Sequence, residues 1–279
     1  MNVDNNSLKQ GGFHIDYQKL FAPLALVILL AVFMIISGRQ GVRLNQFAIN
    51  ILEAAYFVGF MAIGATFVII TGGIDLSSGT VMMCGAIIGG VAYNKWRIPI
   101  IPALSVVVLV SMAFGALNGF LVTKLKLPPF IATLGTMMIA QSVGAIVSRV
   151  QTMHYPTIAS PDGWFKTVFI RTPQGFPTGI VWLSVCALIG MFLLKKTLLG
   201  KYTYAIGSNS EAARLSGINT ANWLWIVYIV NGIFYAATFT SVIPGTGNGQ
   251  EMQAIAGVVI GGTSLSGGTG SMAGTIIGV

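Results

Sequence analysis

The sequence predicts an all-α integral membrane protein, a polytopic helical chain carrying two discontinuous glycine-rich breaks, and three observations predict it. Of 279 residues, 54% are hydrophobic and only 8% charged, and the mean hydropathy of +0.81 lies far above that of a soluble domain. The apolar residues fall into runs separated by short polar or basic turns, and a chain of this length has room for about eight to ten spans of about 20 residues each. Thirty-five glycines in such a background point to close helix packing and broken helices rather than flexible linkers.

The formal net charge of +8 sits in clusters between apolar runs, where loop charges set membrane orientation; it does not signal nucleic acid. Cys84 and Cys186 lie inside apolar runs and read as packing residues rather than metal ligands or disulfide partners. No metal site and no bound cofactor are expected.

The amino terminus up to Gln18 is polar, and Phe21–Ile36 reads as a first span or anchor. Arg39 and Arg43 follow it without a small-residue cleavage pattern, which disfavours a signal peptide. A long run from Phe47 to Ile70 is interrupted only by Glu53. Next comes Thr71-Gly72-Gly73-Ile74-Asp75-Leu76-Ser77-Ser78-Gly79, too polar and glycine-rich to continue a helix in lipid. Non-helical backbone at membrane depth is tolerated only where protein or a water-filled cavity satisfies it, so this stretch is a candidate pathway element. Val81–Tyr93, Pro99–Val122 with Asn118 near its end, and Phe130–Val147 follow, separated by Lys95 and Arg97 and then by Lys124 and Lys126. Residues 149–179, with four prolines and Trp164, form an extramembrane loop. Ile180–Leu194 returns to the membrane and ends at Lys195-Lys196. Trp223–Val242, containing Asn231, reads as a further span, and Pro244–Gln250 as an outer turn. Ala254–Ile260 then runs into Gly261-Gly262-Thr263-Ser264-Leu265-Ser266-Gly267-Gly268-Thr269.

One polar stretch stands apart, residues 207–218 within the loop 195–222. Ser208 and Glu211 have the spacing of a capping box, which predicts a helix start at Ser208. Ala212, Ala213, Arg214 and Leu215 are good helix formers, and Gly217 can adopt the left-handed conformation that closes a helix. A helix of one or two turns is marginal alone. It is either held by a partner surface, which Ala212 and Ala213 would let approach, or is a surface loop helix with no partner. Lys195, Lys196, Lys201 and Arg214 form the densest basic segment, which the positive-inside rule assigns to the cytoplasm. Counting spans from there puts the amino terminus, Lys124 and Lys126 inside, and Lys95, Arg97 and the 149–179 loop outside. Lys166 and Arg171 on that loop run mildly against this orientation.

The two glycine-rich breaks align without gaps. Gly72-Gly73 meets Gly261-Gly262, Leu76-Ser77 meets Leu265-Ser266, Gly79-Thr80 meets Gly268-Thr269, and Ile87-Ile88-Gly89 meets Ile276-Ile277-Gly278. About ten identities in about eighteen positions read as an internal duplication, though glycine supplies half of them. Paired breaks in corresponding positions point to a transporter binding region; a pair of small-residue packing motifs is the alternative. Asp75 is replaced by Ser264 in the second copy. A carboxylate at membrane depth needs a helix N-terminus, a base or water, so Asp75 either caps the helix beginning near Ser77 or hydrogen-bonds a polar solute. Glu53 faces the same choice between lining a cavity and pairing internally.

With these stretches assembled, the sequence resembles the permease subunit of bacterial monosaccharide ABC importers of the ribose, galactose, arabinose and xylose type. The resemblance is carried by Thr71–Gly79, Pro129–Thr136, Leu199–Ile218 and Gln253–Gly268 and covers nearly the whole chain. It implies an all-helical permease in the bacterial inner membrane, paired with a second permease copy as a homodimer or heterodimer. An extracytoplasmic sugar-binding protein would serve it from outside and an ABC ATPase subunit, which binds the ATP, from inside. The segment Ser210–Gly217 would be the coupling helix resting on that ATPase, with Glu211, Arg214 and Gly217 as contact and geometry residues, Ala212 and Ala213 permitting approach, and Ser210 and Leu215 completing the surface. The chain has no Gly-x-x-x-x-Gly-Lys-Ser/Thr phosphate loop, so ATP hydrolysis falls to a separate subunit. Family members usually continue for roughly two further spans, whereas this sequence stops at Val279 within an apolar stretch.

A neutral sugar offers no charge to steer, so the path should use hydroxyls, amides and backbone groups; Ser77, Thr80, Asn118, Ser264 and Ser266 are the candidates, with Asp75 beside them. Nucleosides, a furanosyl signal or branched-chain amino acids are the alternative cargoes, and a zwitterion would want the fixed charge of Asp75 or Glu53. A membrane enzyme is disfavoured because neither acid has a histidine partner: His14 and His154 sit in polar segments. An ATPase-independent channel would pass solute from purified protein without nucleotide.

Overall fold

The structure, a computed structural model, describes residues 17–39, 44–234, 241–242, 244–245 and 247–279. The chain divides into two compact units, Met1–Ala48 and Ile49–Val279. The first contains α1 (Tyr17–Arg39), an apolar helix that covers the expected first span; most of the polar amino terminus and of the turn after Arg39 lies outside the described residues. The remaining elements are α2 (Leu44–Ile70), which begins in the first unit, α3 (Ser78–Asn94), α4 (Ile100–Thr123), α5 (Pro129–Ser148), β1 (Met153–His154), α6 (Trp164–Phe169), α7 (Gly179–Lys196), α8 (Leu198–Ser208), α9 (Ser210–Leu215), α10 (Thr220–Ile233), β2 (Ser241–Val242), α11 (Gln250–Ile260) and α12 (Met272–Gly278). Among the described residues four helices, α2, α4, α5 and α7, are long and apolar enough to cross a membrane. α3, α10 and α11, with 17, 14 and 11 residues, are cut short next to the breaks and the β2 segment.

A helix that is apolar on every side belongs in a protein interior, and α2 is the case here: from Phe60 to Ile70 every residue is buried. α3 is buried along nearly its whole length. Around this pair α4, α5 and α7 keep apolar outward faces, including Ile101, Leu109, Met138, Ile146, Leu188 and Phe192, which suit a lipid surround. α4 and α10 cross backbone to backbone: Gly115 lies against the Tyr228 carbonyl and Gly232 against the Ser111 carbonyl. Small residues at such a crossing give dispersion contact that lipid cannot replace. Tyr228, Phe67 and Ile63 fill the space between α2, α7 and α10, and the rings of Phe67 and Phe234 stack at a centroid distance of 6.2 Å.

The unit has two distinguishable ends. At the Lys95 end α3 and α5 finish and α7 begins. The loop after α5 is folded over the second half of α3, where Met153, Tyr155, Phe165 and Ile170 are buried and the Tyr155 hydroxyl donates to the Ala86 carbonyl at 2.7 Å. β1 and β2 pair antiparallel, Met153 with Val242 and His154 with Ser241. The expected span Trp223–Val242 is therefore not one helix: α10 stops at Ile233, Ser241 and Val242 belong to a strand pair, and residues 235–240 lie outside the described residues. The expected turn at Pro244–Gln250 is present in its described residues: 244–245 and 247–249 are turns, with Asn248 and Gly249 exposed and Gly247 buried, its backbone against Gly79 in the first turn of α3. At the other end, the Lys195 end, α7 finishes and α8 turns back beside it, with Gly200 against the Leu194 backbone.

Candidate functional site

α9 is a six-residue helix held at both ends by local chemistry. Asn209, in extended conformation, caps it: its Oδ1 accepts from the backbone N–H of Glu211 at 3.0 Å and of Ala212 at 2.9 Å. The capping box expected at Ser208 does not form, because α8 runs through Ser208 and the chain leaves helical geometry one residue later; asparagine is as good a cap as serine. Glu211 does not reach back. It holds Arg214 in a fork, with Nη2 to Oε1 at 2.5 Å and Nε to Oε2 at 3.1 Å. Gly217, at φ +86, closes the helix as the sequence predicts: its N–H donates to the Arg214 carbonyl at 3.0 Å and that of Ile218 to the Ala213 carbonyl at 3.1 Å, the paired bonds of a Schellman motif. Ala213 is the one buried residue of the helix, while Ser210, Glu211, Ala212, Arg214 and Leu215 are exposed, Leu215 at 76%.

The hydrogen bond from Arg214 and its positive charge hold the Glu211 carboxyl below its ordinary range, and the same bond raises the guanidinium. Since Glu211 is depressed on folding, the pair's contribution is present above the unfolded carboxyl value and is lost only as pH falls through the folded one. Both groups are fully in solvent, so this is a geometric preference rather than a source of stability. Asn209→Ala removes the acceptor for two of the helix's first N–H groups and is expected to cost about 1 kcal/mol. Faster amide exchange at Glu211 and Ala212 is the readout, with α10 unchanged.

The root of α9 is where both glycine-rich breaks meet. The N–H of Gly268 donates to the Ile70 carbonyl at 2.8 Å, so the second break is bonded to the end of α2. Gly207, the penultimate residue of α8, lies so close that a Cβ there would collide with that same carbonyl oxygen. Gly267 packs on the Gly207 carbonyl and on Gly72, Gly268 packs on Ser208, and the Tyr204 hydroxyl donates to the Gly270 carbonyl at 2.8 Å. Three backbones, from 70–72, 207–208 and 267–268, thus touch without intervening side chains.

The two breaks share some local bonding. α2 ends with left-handed Gly72, whose N–H donates to Ile69 while that of Gly73 donates to Val68; α11 ends with left-handed Gly262, whose N–H donates to Val259 while that of Thr263 donates to Val258. Next in each copy a side-chain oxygen accepts from the N–H two residues on: Asp75 Oδ1 from Ser77 at 2.8 Å, and Ser264 Oγ from Ser266 at 3.2 Å. The turns keep the ungapped alignment, whereas the helix ends pair Gly72 with Gly262, one residue out of that register. Beyond the turns the copies diverge, since α3 starts at Ser78 but α12 only at Met272.

They diverge in environment as well. Asp75 Oδ2 accepts from Asn231 Nδ2 at 2.7 Å, and its Oδ1 also takes the Ser77 hydroxyl at 2.6 Å. Asn118 Nδ2 donates to Ser77 Oγ at 2.8 Å and Asn118 Oδ1 accepts from Thr136 at 2.5 Å. The Thr133 hydroxyl accepts from the Leu76 N–H at 3.1 Å. This chain ties the first break to α4, α5 and α10, and its members are buried. Of the sequence-predicted path residues, Asp75, Ser77 and Asn118 are brought together here and Thr80 is buried beside them, its hydroxyl turned onto the Ser77 carbonyl. Ser264 is half-buried and Ser266 exposed on the second break. The expected cap is corrected: Ser77 stands at the N-cap of α3 and no side chain caps the helix, while Asp75 Oδ1 closes a turn on the Ser77 N–H just ahead of it. Glu53 pairs internally, 3.5 Å from Arg171, which also accounts for one of the cations on the 149–179 loop.

Sequence reasoning passes over Thr133, Thr136 and Glu251. Glu251 is 5% exposed; its Oε1 accepts from the Gly249 N–H at 3.1 Å and its Oε2 lies over Gly79. An acid three residues ahead of the apolar run Ala254–Ile260 was the available signal, and Glu251 falls between that run and the expected turn, which ends at Gln250.

The family model described as the permease component of branched-chain amino acid transport systems matches residues 47–279. The ribose import permease protein of Escherichia coli K12 is 36% identical over 266 residues, 91% of this chain and 80% of that protein. That of Bacillus subtilis is 35% identical over 292 residues, 100% of this chain and 88% of that protein. The fructose import permease protein of Rhizobium meliloti is 34% identical over 268 residues, 91% and 73% of the two chains. No solved structure matches.

Proposed function

The chain belongs to the permease-component family of branched-chain amino acid transport systems, and from that membership we propose that it is the translocation subunit of an ATP-driven importer for a monosaccharide such as ribose or galactose. The names of its relatives support a sugar cargo, and so does the commitment of the Asp75 carboxylate to donors from Ser77 and Asn231, which leaves it turned inward rather than towards a charged solute. In this reading the chain lies in a bacterial inner membrane with its amino terminus and its Lys195 end in the cytoplasm. It pairs with a second permease copy, identical or similar, and an extracytoplasmic sugar-binding protein delivers cargo at the Lys95 end. Two such chains would enclose the path, with Ser264 and Ser266 on its wall and the Asp75, Ser77, Thr80 and Asn118 group anchoring the first break behind it.

The observation that carries the proposal is α9. A capped helix turns Glu211, Arg214 and Leu215 outward while its root touches both breaks. A separate ABC ATPase gripping Ser210–Gly217 would therefore move the breaks as it binds and hydrolyses ATP, giving alternating access. Glu211→Arg combined with the parent Arg214 puts two like charges where the fork was. It is expected to reduce nucleotide-driven uptake by about tenfold or more, a loss corresponding to about 1.4 kcal/mol, with binding-protein affinity unchanged. Uptake at the parent rate would remove the coupling assignment, and competition by free ribose, galactose, nucleosides or branched-chain amino acids in the same assay identifies the cargo.

A further inference from the structure

At the Lys95 end the termini of α3 and α5 leave an open cleft of about 540 Å³ between them, lined by Val91, Lys95, Trp96, Val147, Arg149 and Gln151. Its chemistry is one-sided. Lys95 and Arg149 bring two cations, Trp96 and Gln151 bring N–H donors, and no acid lines it. Among the described residues neither Lys95, Arg149 nor the neighbouring Arg97 forms an ion pair, the recorded pairs being Glu53–Arg171 and Glu211–Arg214. Asp162, on the same end, accepts from the Tyr93 hydroxyl. Lys95 Nζ reaches only the Ser148 carbonyl and Gln151 Oε1, both at 3.4 Å, long for hydrogen bonds to an ammonium. Helix C-termini explain why cations sit here, but not why the space between them stays open.

The surroundings of the cleft are apolar and outward-facing. Trp96 is 57% exposed, and Ile146 and Val150, on either side of Val147 and Arg149, are each 74% exposed. Arg97, Arg149 and Val150 hold left-handed backbone, as Lys126 does after α4, the conformation that closes a helix C-terminus, and here it turns the chain at the rim of the cleft. Cations and an indole at the rim, a valine floor and an exposed apolar flank match an amphiphile with an anionic head and hydrocarbon tails. A water-borne acidic protein would match the cations but not the flank.

We propose that this cleft holds an anionic phospholipid, its phosphate between Lys95 and Arg149 and its acyl chains along Val147, Ile146 and Val150. The assignment requires only that the chain sit in a bilayer and draws on neither the sugar nor the ATPase. The test is thermal unfolding of the full chain in neutral detergent with added phosphatidylglycerol, phosphatidylcholine or inorganic phosphate. Phosphatidylglycerol should raise the parent Tm by several degrees, and Lys95→Gln with Arg149→Gln should remove at least half of that shift, whereas the other two additions should move neither protein. An equal phosphatidylglycerol shift in both proteins, or an equal shift from inorganic phosphate, overturns the proposal. So does a variant that loses only its affinity for the sugar-binding protein while its lipid response stays whole. A second readout needs no charge variant: brominated phosphatidylglycerol should quench Trp96, taken as the parent signal minus that of Trp96→Phe, more strongly than brominated phosphatidylcholine, and equal quenching counts against the site.

Discussion

Gly207→Ala is expected to stop nucleotide-driven uptake while leaving the membrane-inserted fold recognisable. The reason is steric and specific to this position. A methyl group on Gly207 would run into the Ile70 carbonyl oxygen and the Gly268 N–H, two backbone groups that already bond each other at 2.8 Å. Side chains can rotate out of the way of a new methyl; two bonded backbones cannot. Overpacking of this kind costs about 1–3 kcal/mol where neighbours partly yield, and here yielding means prising the second break from the end of α2. Uptake by reconstituted protein should fall by about tenfold or more. If the ATPase can still bind, its hydrolysis should continue without stimulation by the sugar-loaded binding protein. Gly135→Ala is the matched control, since a Cβ at Gly135 meets nothing within 4 Å. Parent-level uptake by Gly207→Ala would show that α9 and the breaks move independently.

That junction could not be read from the sequence, and the reason is instructive. Glycine abundance flags both breaks, and the ungapped alignment correctly relates Asp75 to Ser264 and Ser77 to Ser266, because an oxygen accepting from the N–H two residues on is a local feature. Contact between Gly207, Gly72 and Gly268 is not local; nothing in the spacing of three glycines far apart in sequence says that their backbones touch. α9 was legible for the opposite reason. Its helix formers and its left-handed Gly217 lie within nine residues of the cap, and the errors are linked: the cap is Asn209 rather than Ser208, so Glu211 holds Arg214 instead of reaching back. The long spans were legible from hydropathy, while Ser241 and Val242 were assigned to a span because a short strand pair and the end of an apolar helix share the same composition. Glu53 and Asp75 show the remaining difficulty: sequence shows that an acid at membrane depth needs company but not which residue supplies it, here Arg171 and Asn231.

Asp75→Ala is expected to be the most destabilising single change in the first break. The carboxylate accepts the Ser77 N–H, the Ser77 hydroxyl and Asn231 Nδ2 in a setting where Asp75 is 3% and Asn231 0% exposed. The hydroxyl can turn to another acceptor, but the amide of Ser77 and the Nδ2 of Asn231 lose this one in a dry interior, at about 1–3 kcal/mol each. A total of about 2–6 kcal/mol is a large share of the 5–15 kcal/mol, roughly, that holds a domain folded. The variant should unfold markedly earlier in detergent. Asp75→Asn separates a structural carboxylate from one that binds solute. It keeps an oxygen for Ser77 but sets its own NH2 against that of Asn231, a clash that an amide flip of Asn231 can relieve. A structural Asp75 therefore predicts a smaller loss of stability in Asp75→Asn than in Asp75→Ala, and unaltered half-saturation for whatever uptake remains. If instead the parent Tm is preserved while half-saturation rises severalfold, the carboxylate faces the cargo and the buried network is secondary to it.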